Sequence, residues 1–312
     1  VDMKKIAKKL INFIKITNIM FKDYIKCIKY CGFPYVKKDK IDWKILLIAH
    51  SLEKGLSISK SRIEFGVEKA CNLKELLIKC ENKNTYVYKE GRNVLYAYIE
   101  FRKENKLDYE RFLLNDKRVN YNDGGFKILN KKDVKCNLED FNKLCLKRHS
   151  VRNFSNKYVN ISDVRAAVAT ALFSPSACNR QMIKVYTTND INQNGKIAQL
   201  IPGNAGFKNE NCRYLILTAD TKAFDYYEIN QWYLNGGIFV SYLQLAFTSN
   251  NIGSCIYQWP KIKTNDIKMR KILNIADNEE ILTILAVGYY KENFTVLKAK
   301  RKDVNDILIE RN

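Results

Sequence analysis

Lys147-Arg148-His149-Ser150-Val151-Arg152-Asn153-Phe154 and, about 26 residues further on, Ser174-Pro175-Ser176-Ala177-Cys178-Asn179-Arg180-Gln181 decide how this chain is read. In an extended segment alternate residues share a side, so Arg148, Ser150 and Arg152 point the same way. Two guanidinium forks and a hydroxyl on one side make a phosphate clamp, because Arg meets phosphate oxygens bidentately. In the second stretch, small residues let a backbone approach a flat ring, and Asn179 and Gln181 offer amides to the edge of a heterocycle. Taken singly, each stretch also suits a blander role: a solvated basic surface for the first, an ordinary helix-to-strand loop for the second.

Working outward, Ser162 reads as the cap of a small-residue helix over 163–173, and a strand is expected around 183–187. A helix follows over 190–200, then an apolar strand at 214–218 and a long amphipathic helix at 231–250. A short strand at 255–257, a helix at 264–274 and a β-branched strand run at 281–287 complete the pattern. Alternating helices and strands indicate a three-layer domain over 141–312. Residues 1–140 read as a mainly helical extension. There Asp42 is expected to cap a helix ending at Gly55, with helices at 66–80 and 84–105 and a polar, loop-rich 107–140.

With 312 residues, 46% hydrophobic and 28% charged, the composition is that of a globular chain, excluding disordered and fibrous classes. The two histidines, His50 and His149, exclude a His-based metal cluster within one chain, and no C-x-x-C occurs among nine cysteines. No metal site is expected, and a reducing, cytoplasmic setting is. The net charge of +21 comes mostly from Lys and is not gathered into an Arg- or aromatic-laced stripe, so no nucleic-acid partner is expected.

The first 40 residues hold eight of those net charges. Met3–Tyr30, wound as a helix, gathers Ile6, Leu10, Phe13, Ile14, Met20, Phe21, Tyr24, Ile25 and Ile28 on one side. Lys4, Lys8, Lys15, Lys22, Lys26 and Lys29 take the other. The lysines interrupt any export-signal core. Two readings stand: the apolar face docks on the protein itself, or the helix lies on an anionic membrane surface as a peripheral contact.

Together, in order and spacing, the two opening stretches resemble the nitroreductase family of FMN-dependent oxidoreductases. Two further elements join them: Asn235–Cys255, similar to the family's interface helix and the turn after it, and Ala286-Val-Gly-Tyr-Tyr290 followed by Lys298-Ala-Lys-Arg301. The resemblance implies an α+β fold: a nitroreductase-like three-layer α/β/α sandwich around a mixed, mainly antiparallel sheet, here preceded by the helical extension. It also implies a homodimer sharing FMN at the subunit interface, with NADH or NADPH as donor and a small-molecule acceptor. Arg148, His149, Ser150 and Arg152, with Lys300 or Arg301, would hold the phosphate and ribityl chain. Pro175, Ser176, Asn179 and Gln181 would line the ring, Gly253 and Ser254 would lie beneath it, and Asn204 and Lys208 would meet its pyrimidine side.

Three departures bear on the substrate: Met182-Ile183 stands where the family has Pro-Trp, a glycine is missing at 251–252, and 200–230 is short. His50-Ser-Leu-Glu53-Lys54-Gly55 resembles an extension of nitroreductase-like proteins from bacterial polysaccharide gene clusters. His50, Glu53 and Lys54 share a helix face. They form either a surface ion pair or, through His50, a proton donor at the site. The alternative functions are a specialised flavin desaturase or reductase acting on a polysaccharide-pathway metabolite, and a membrane-associated binding or scaffold protein with a degenerate flavin site.

Overall fold

The computed structural model describes residues 3–31, 41–58, 64–115, 124–204 and 211–311. Its centre is a four-stranded sheet in the order β1-β2-β4-β3, formed by β1 (Ile183–Tyr186), β2 (Arg213–Asp220), β3 (Ile252–Gln258) and β4 (Glu279–Tyr289). All three pairings are antiparallel. Parallel character enters only where Ser150 bridges to Ser254.

The period of two in a strand sorts the core into two layers. Leu215, Leu217, Leu285 and Val287 face α6 (Ile161–Ala171) and α8 (Gln231–Ser249). Their neighbours Tyr214, Ile216, Ile284 and Ala286 face the side covered by α7 (Ile191–Leu200) and α9 (Lys263–Leu273). Helices on both faces make the expected sandwich. Gly288 lets the Phe154 ring lie on β4, since a Cβ there would come within 2.3 Å of it.

A second core lies in the extension, among α2 (Ile41–Ser57), α3 (Val67–Lys79) and α4 (Tyr86–Glu104). Ile45, Leu52, Leu73, Leu77, Leu95 and Ile99 are buried there. Asp42 lies in the first turn of α2, not before it, and the helix passes through Gly55. The glycine serves packing instead of termination: a Cβ at Gly55 would fall 2.1 Å from the Phe65 ring. Ser162 likewise falls inside α6, whose N-cap position is Asn160. Just before the basic stretch lies α5 (Leu138–Lys147), capped by the Asn137 side chain.

Among the described residues α1 (Met3–Tyr30) docks at its C-terminal end, through a polar flank and two cysteines. Lys26 Nζ donates to the Glu279 carbonyl at 2.8 Å and to Glu280, and Lys261 bridges Asp23 and Glu280. Cys27 and Cys31 pack against the cluster of Met182, Phe224 and Trp232. The apolar stripe is not covered by the other described residues: Ile6, Leu10, Phe13, Met20 and Phe21 remain 53–67% exposed. Of the two readings of this helix, docking of its apolar face on its own chain is not what the fold shows. No helix among the described residues is long and apolar enough to cross a membrane.

Candidate active site

After α5 the chain runs extended along the edge of β3. Val151 N donates to the Ser254 carbonyl at 2.9 Å and the Val151 side chain is fully buried. Around the buried Val151, Arg148, His149, Ser150 and Arg152 are all half-exposed and Asn153 is exposed. Arg152 Nη1 reaches the Ser150 carbonyl at 3.4 Å, and Arg148 has no carboxylate partner among the described residues. Beneath them Gly253 packs against Val151 and Tyr290, each 3.1 Å from where a Cβ would stand. Ser254 is buried, and Gln244 of α8 donates to its hydroxyl at 3.3 Å. Arg148, Ser150, Arg152, Gly253 and Ser254 are thus brought together. The half-buried His149 sits in the same strand.

The second stretch forms a tight loop. Cys178, Asn179 and Gln181 all take left-handed backbone conformations, with φ of 51°, 50° and 50°. Asn tolerates this, whereas Cys and Gln give up roughly 1–2 kcal/mol each, so the surroundings must hold the loop. Ser176 Oγ accepts from Gln181 N at 3.0 Å, and Asn235 Oδ1 of α8 accepts from Ala177 N at 2.8 Å. Arg180, only 4% exposed, points inward and donates to Ala177 O, to Ala223 O and through both Nη atoms to Glu228. Pro175 and Asn179 are exposed at the loop surface.

The two groups sit toward opposite ends of α8. Asn235, which holds the loop, and Gln244, which holds Ser254, are about 14 Å apart along the helix axis. Asn204 is tied into its own fold, with Nδ2 donating to Ala198 O at 3.2 Å and to Tyr214 Oη at 3.0 Å. Lys208 lies outside the described residues. Lys300 and Arg301 are on an exposed C-terminal tail, without a described contact to the Arg148–Arg152 strand.

The extension reaches the loop. α2 packs against the 3-10 turn Ala177–Asn179, and Gln181 Nε2 donates to Tyr86 Oη at 2.6 Å. His50 Nδ1 lies 3.8 Å from Glu53 Oε2. Burial, together with the charges of Lys54 and Arg180, lowers the His50 imidazole. Burial and the neighbouring Glu90 push the Glu53 carboxyl up to about 7, against a hydrogen bond donated by Gly125 N. Both shifts favour the neutral forms, so the His50–Glu53 contact is not a full ion pair at neutral pH.

Sequence reasoning missed Tyr86, Asn235 and Glu228 as loop supports, because each acts across a long sequence separation. Arg180 carried a signal, a charged residue amid small ones, that pointed to a buried role as readily as to a solvent one.

Residues 145–233 match the family model described as Nitroreductase family. That stretch resembles the nitroreductase family. Similar solved structures include a nitroreductase family protein from Streptococcus pneumoniae TIGR4, 26% identical over 55% of this chain and 100% of that one, with a TM-score of 0.47. A putative nitroreductase from Bacillus subtilis is 18% identical, covering 56% of this chain and all of that one at a TM-score of 0.49. An FMN-dependent nitroreductase from Clostridium difficile R20291 is 19% identical, covering 54% and 98% at 0.46. No curated protein matches the chain. The match covers the extended 148–152 segment, the loop at 177–181 and the start of α8, and leaves residues 1–140 outside.

Proposed function

We propose that this chain is an FMN-dependent oxidoreductase of the nitroreductase type, which takes reducing equivalents from NADH or NADPH and passes them to an electron-poor small molecule. FMN, once bound, supplies hydride acceptance and donation. The observation that carries the reading is the extended 148–152 segment held on Ser254, with Arg148, Ser150 and Arg152 half-exposed and Arg148 without a carboxylate partner among the described residues. Those three residues bind the phosphate and ribityl chain, helped by His149 and by Lys300 or Arg301 from the tail. Gly253 and Ser254 support the ring, while Pro175, Ser176, Asn179 and Gln181 orient its edge. Lys208 supplies a cation beside the pyrimidine side, and Asn204 contributes there through its carbonyl oxygen. Cations and N–H donors at that edge favour a reduced, negatively charged ring.

The working unit is a homodimer, with residues 141–312 as the flavin domain and 1–140 as its extension. Within one chain the clamp and the loop are held at different ends of α8. An antiparallel two-fold pairing of α8 sets the loop of one chain beside the clamp of the other. Leu234 and Tyr242 of α8, with Leu138 and Phe141 of α5, are exposed large apolar residues suited to that contact. The tail offers Leu297, Ile307, Leu308 and Ile309, all at least 57% exposed, to wrap a partner.

The exposed stripe of α1 favours a further reading: a cytoplasmic enzyme resting peripherally on the anionic inner membrane surface. Vesicle co-sedimentation of Phe13→Asp/Phe21→Asp against the unmodified chain tests it; equal binding of the two removes the membrane contact.

The test of the main reading is the double variant Arg148→Ala/Arg152→Ala. It is expected to lose bound FMN and to weaken FMN titration at least a hundredfold while keeping its far-UV spectrum. Full flavin occupancy in that variant would overturn the assignment.

A further inference from the structure

The loop over 177–181 has supports from its own domain and one hydrogen bond from the extension. Gln181 Nε2 is shared between Tyr86 Oη at 2.6 Å and Asn179 Oδ1 at 3.1 Å, so the phenol, Gln181 and Asn179 form one chain of contacts. Both loop residues in that chain are left-handed, and Gln181 has no intrinsic preference for such a backbone. Tyr86 itself is well placed to fix them. It opens α4, whose first turn is capped by Thr85 and anchored by the buried Tyr88.

We propose that Tyr86 is a positioning residue for the flavin-side loop: through its hydrogen bond with Gln181, the helical extension sets how Gln181 and Asn179 meet the bound ring. This rests on the FMN reading above. It assigns to the extension, which lies outside the family match, a part in shaping the site. The packing of α2 on Ala177–Asn179 makes the contact a surface and not a single bond. Burial and the carboxylates of Glu90 and Glu53 push the Tyr86 phenol upward, so it stays protonated at neutral pH. A neutral phenol accepts from the Gln181 amide and retains its own O–H.

The experiment is an FMN titration of the full-length chain followed by flavin fluorescence and visible circular dichroism, with Tyr86→Phe, Gln181→Ala and the double variant alongside. Tyr86→Phe is expected to weaken FMN about 3- to 10-fold, the range of one net hydrogen bond, and to alter the visible dichroism of the bound flavin. In the Gln181→Ala background the same change should have no further effect, because the tyrosine acts through that glutamine. Unchanged affinity and dichroism in Tyr86→Phe would overturn the proposal, as would effects of the two substitutions that simply multiply. An unmodified chain that binds no FMN would overturn the FMN reading first, and the positioning role with it.

Discussion

Substituting Glu228 by Gln tests whether the candidate loop stands on a buried charge pair. Arg180 is 4% exposed and Glu228 21%, and the guanidinium meets both carboxylate oxygens at 2.6 and 2.8 Å. Removing one partner of a fully buried pair costs about 3–5 kcal/mol, because the remaining charge is stranded. Here the cost is smaller. Glu228 is partly solvated, and Arg180 keeps the carbonyls of Ala177 and Ala223 as acceptors. Against that, Asp225 N loses the carboxylate it donates to at 2.9 Å. A loss of about 2–3 kcal/mol follows, which for a unit of this size lowers Tm by about 5–10 °C. Differential scanning calorimetry of Glu228→Gln measures it. Arg180→Met/Glu228→Leu, which removes both charges, should recover more than half of the loss. An unchanged Tm in Glu228→Gln, or a double variant less stable than the single one, would refute the strut.

Two other perturbations follow from the same geometry. Glu53 is raised to about 7 in the folded chain, so its neutral form is favoured: its contribution is full below the unfolded carboxyl range near 4.5 and is lost as pH rises through about 7. Because its side chain is partly solvated, Glu53→Gln should gain on the unmodified chain by about 1–2 kcal/mol between pH 4.5 and 7.5 in urea unfolding, and a flat difference would refute the burial argument. His50, lowered by burial, works in the opposite sense, and as a neighbour of Glu53 it is part of the measured difference. Glu280→Gln takes the shared acceptor from Lys26 and Lys261 and should speed hydrogen exchange in α1 about tenfold while leaving β2 and β4 unchanged. Equal exchange in α1 would show that the helix is held elsewhere.

Much of the C-terminal fold was legible because its signals are local. The β-branched run Ile281–Val287 lies inside β4, and the amphipathic helix expected at 231–250 is α8 to within a residue, though apolar on most of its surface. Alternation predicts Arg148, Ser150 and Arg152 on one side of an extended segment, and the segment is extended there, with Ser150 bridged to Ser254. Local signals misled where a residue serves a distant partner. Gly55 reads as a helix end, yet it is a flat spot for Phe65, and that ring is invisible to a helix-termination rule. Periodicity found the apolar stripe of α1, but docking runs through Asp23 and Lys26, a flank set by Glu280 some 250 residues away. Nothing near Tyr86 in sequence points to Gln181. Tertiary contacts of this kind are decided by how two separate cores meet, which no window of the chain records.

The account stands or falls on the cofactor. The most direct measurement is the absorbance spectrum of the purified, full-length chain, with heat release and identification of any chromophore and titration with added FMN. The account predicts flavin bands and FMN released at about one per chain, or stoichiometric uptake of added FMN. A colourless protein that takes up no FMN would contradict it.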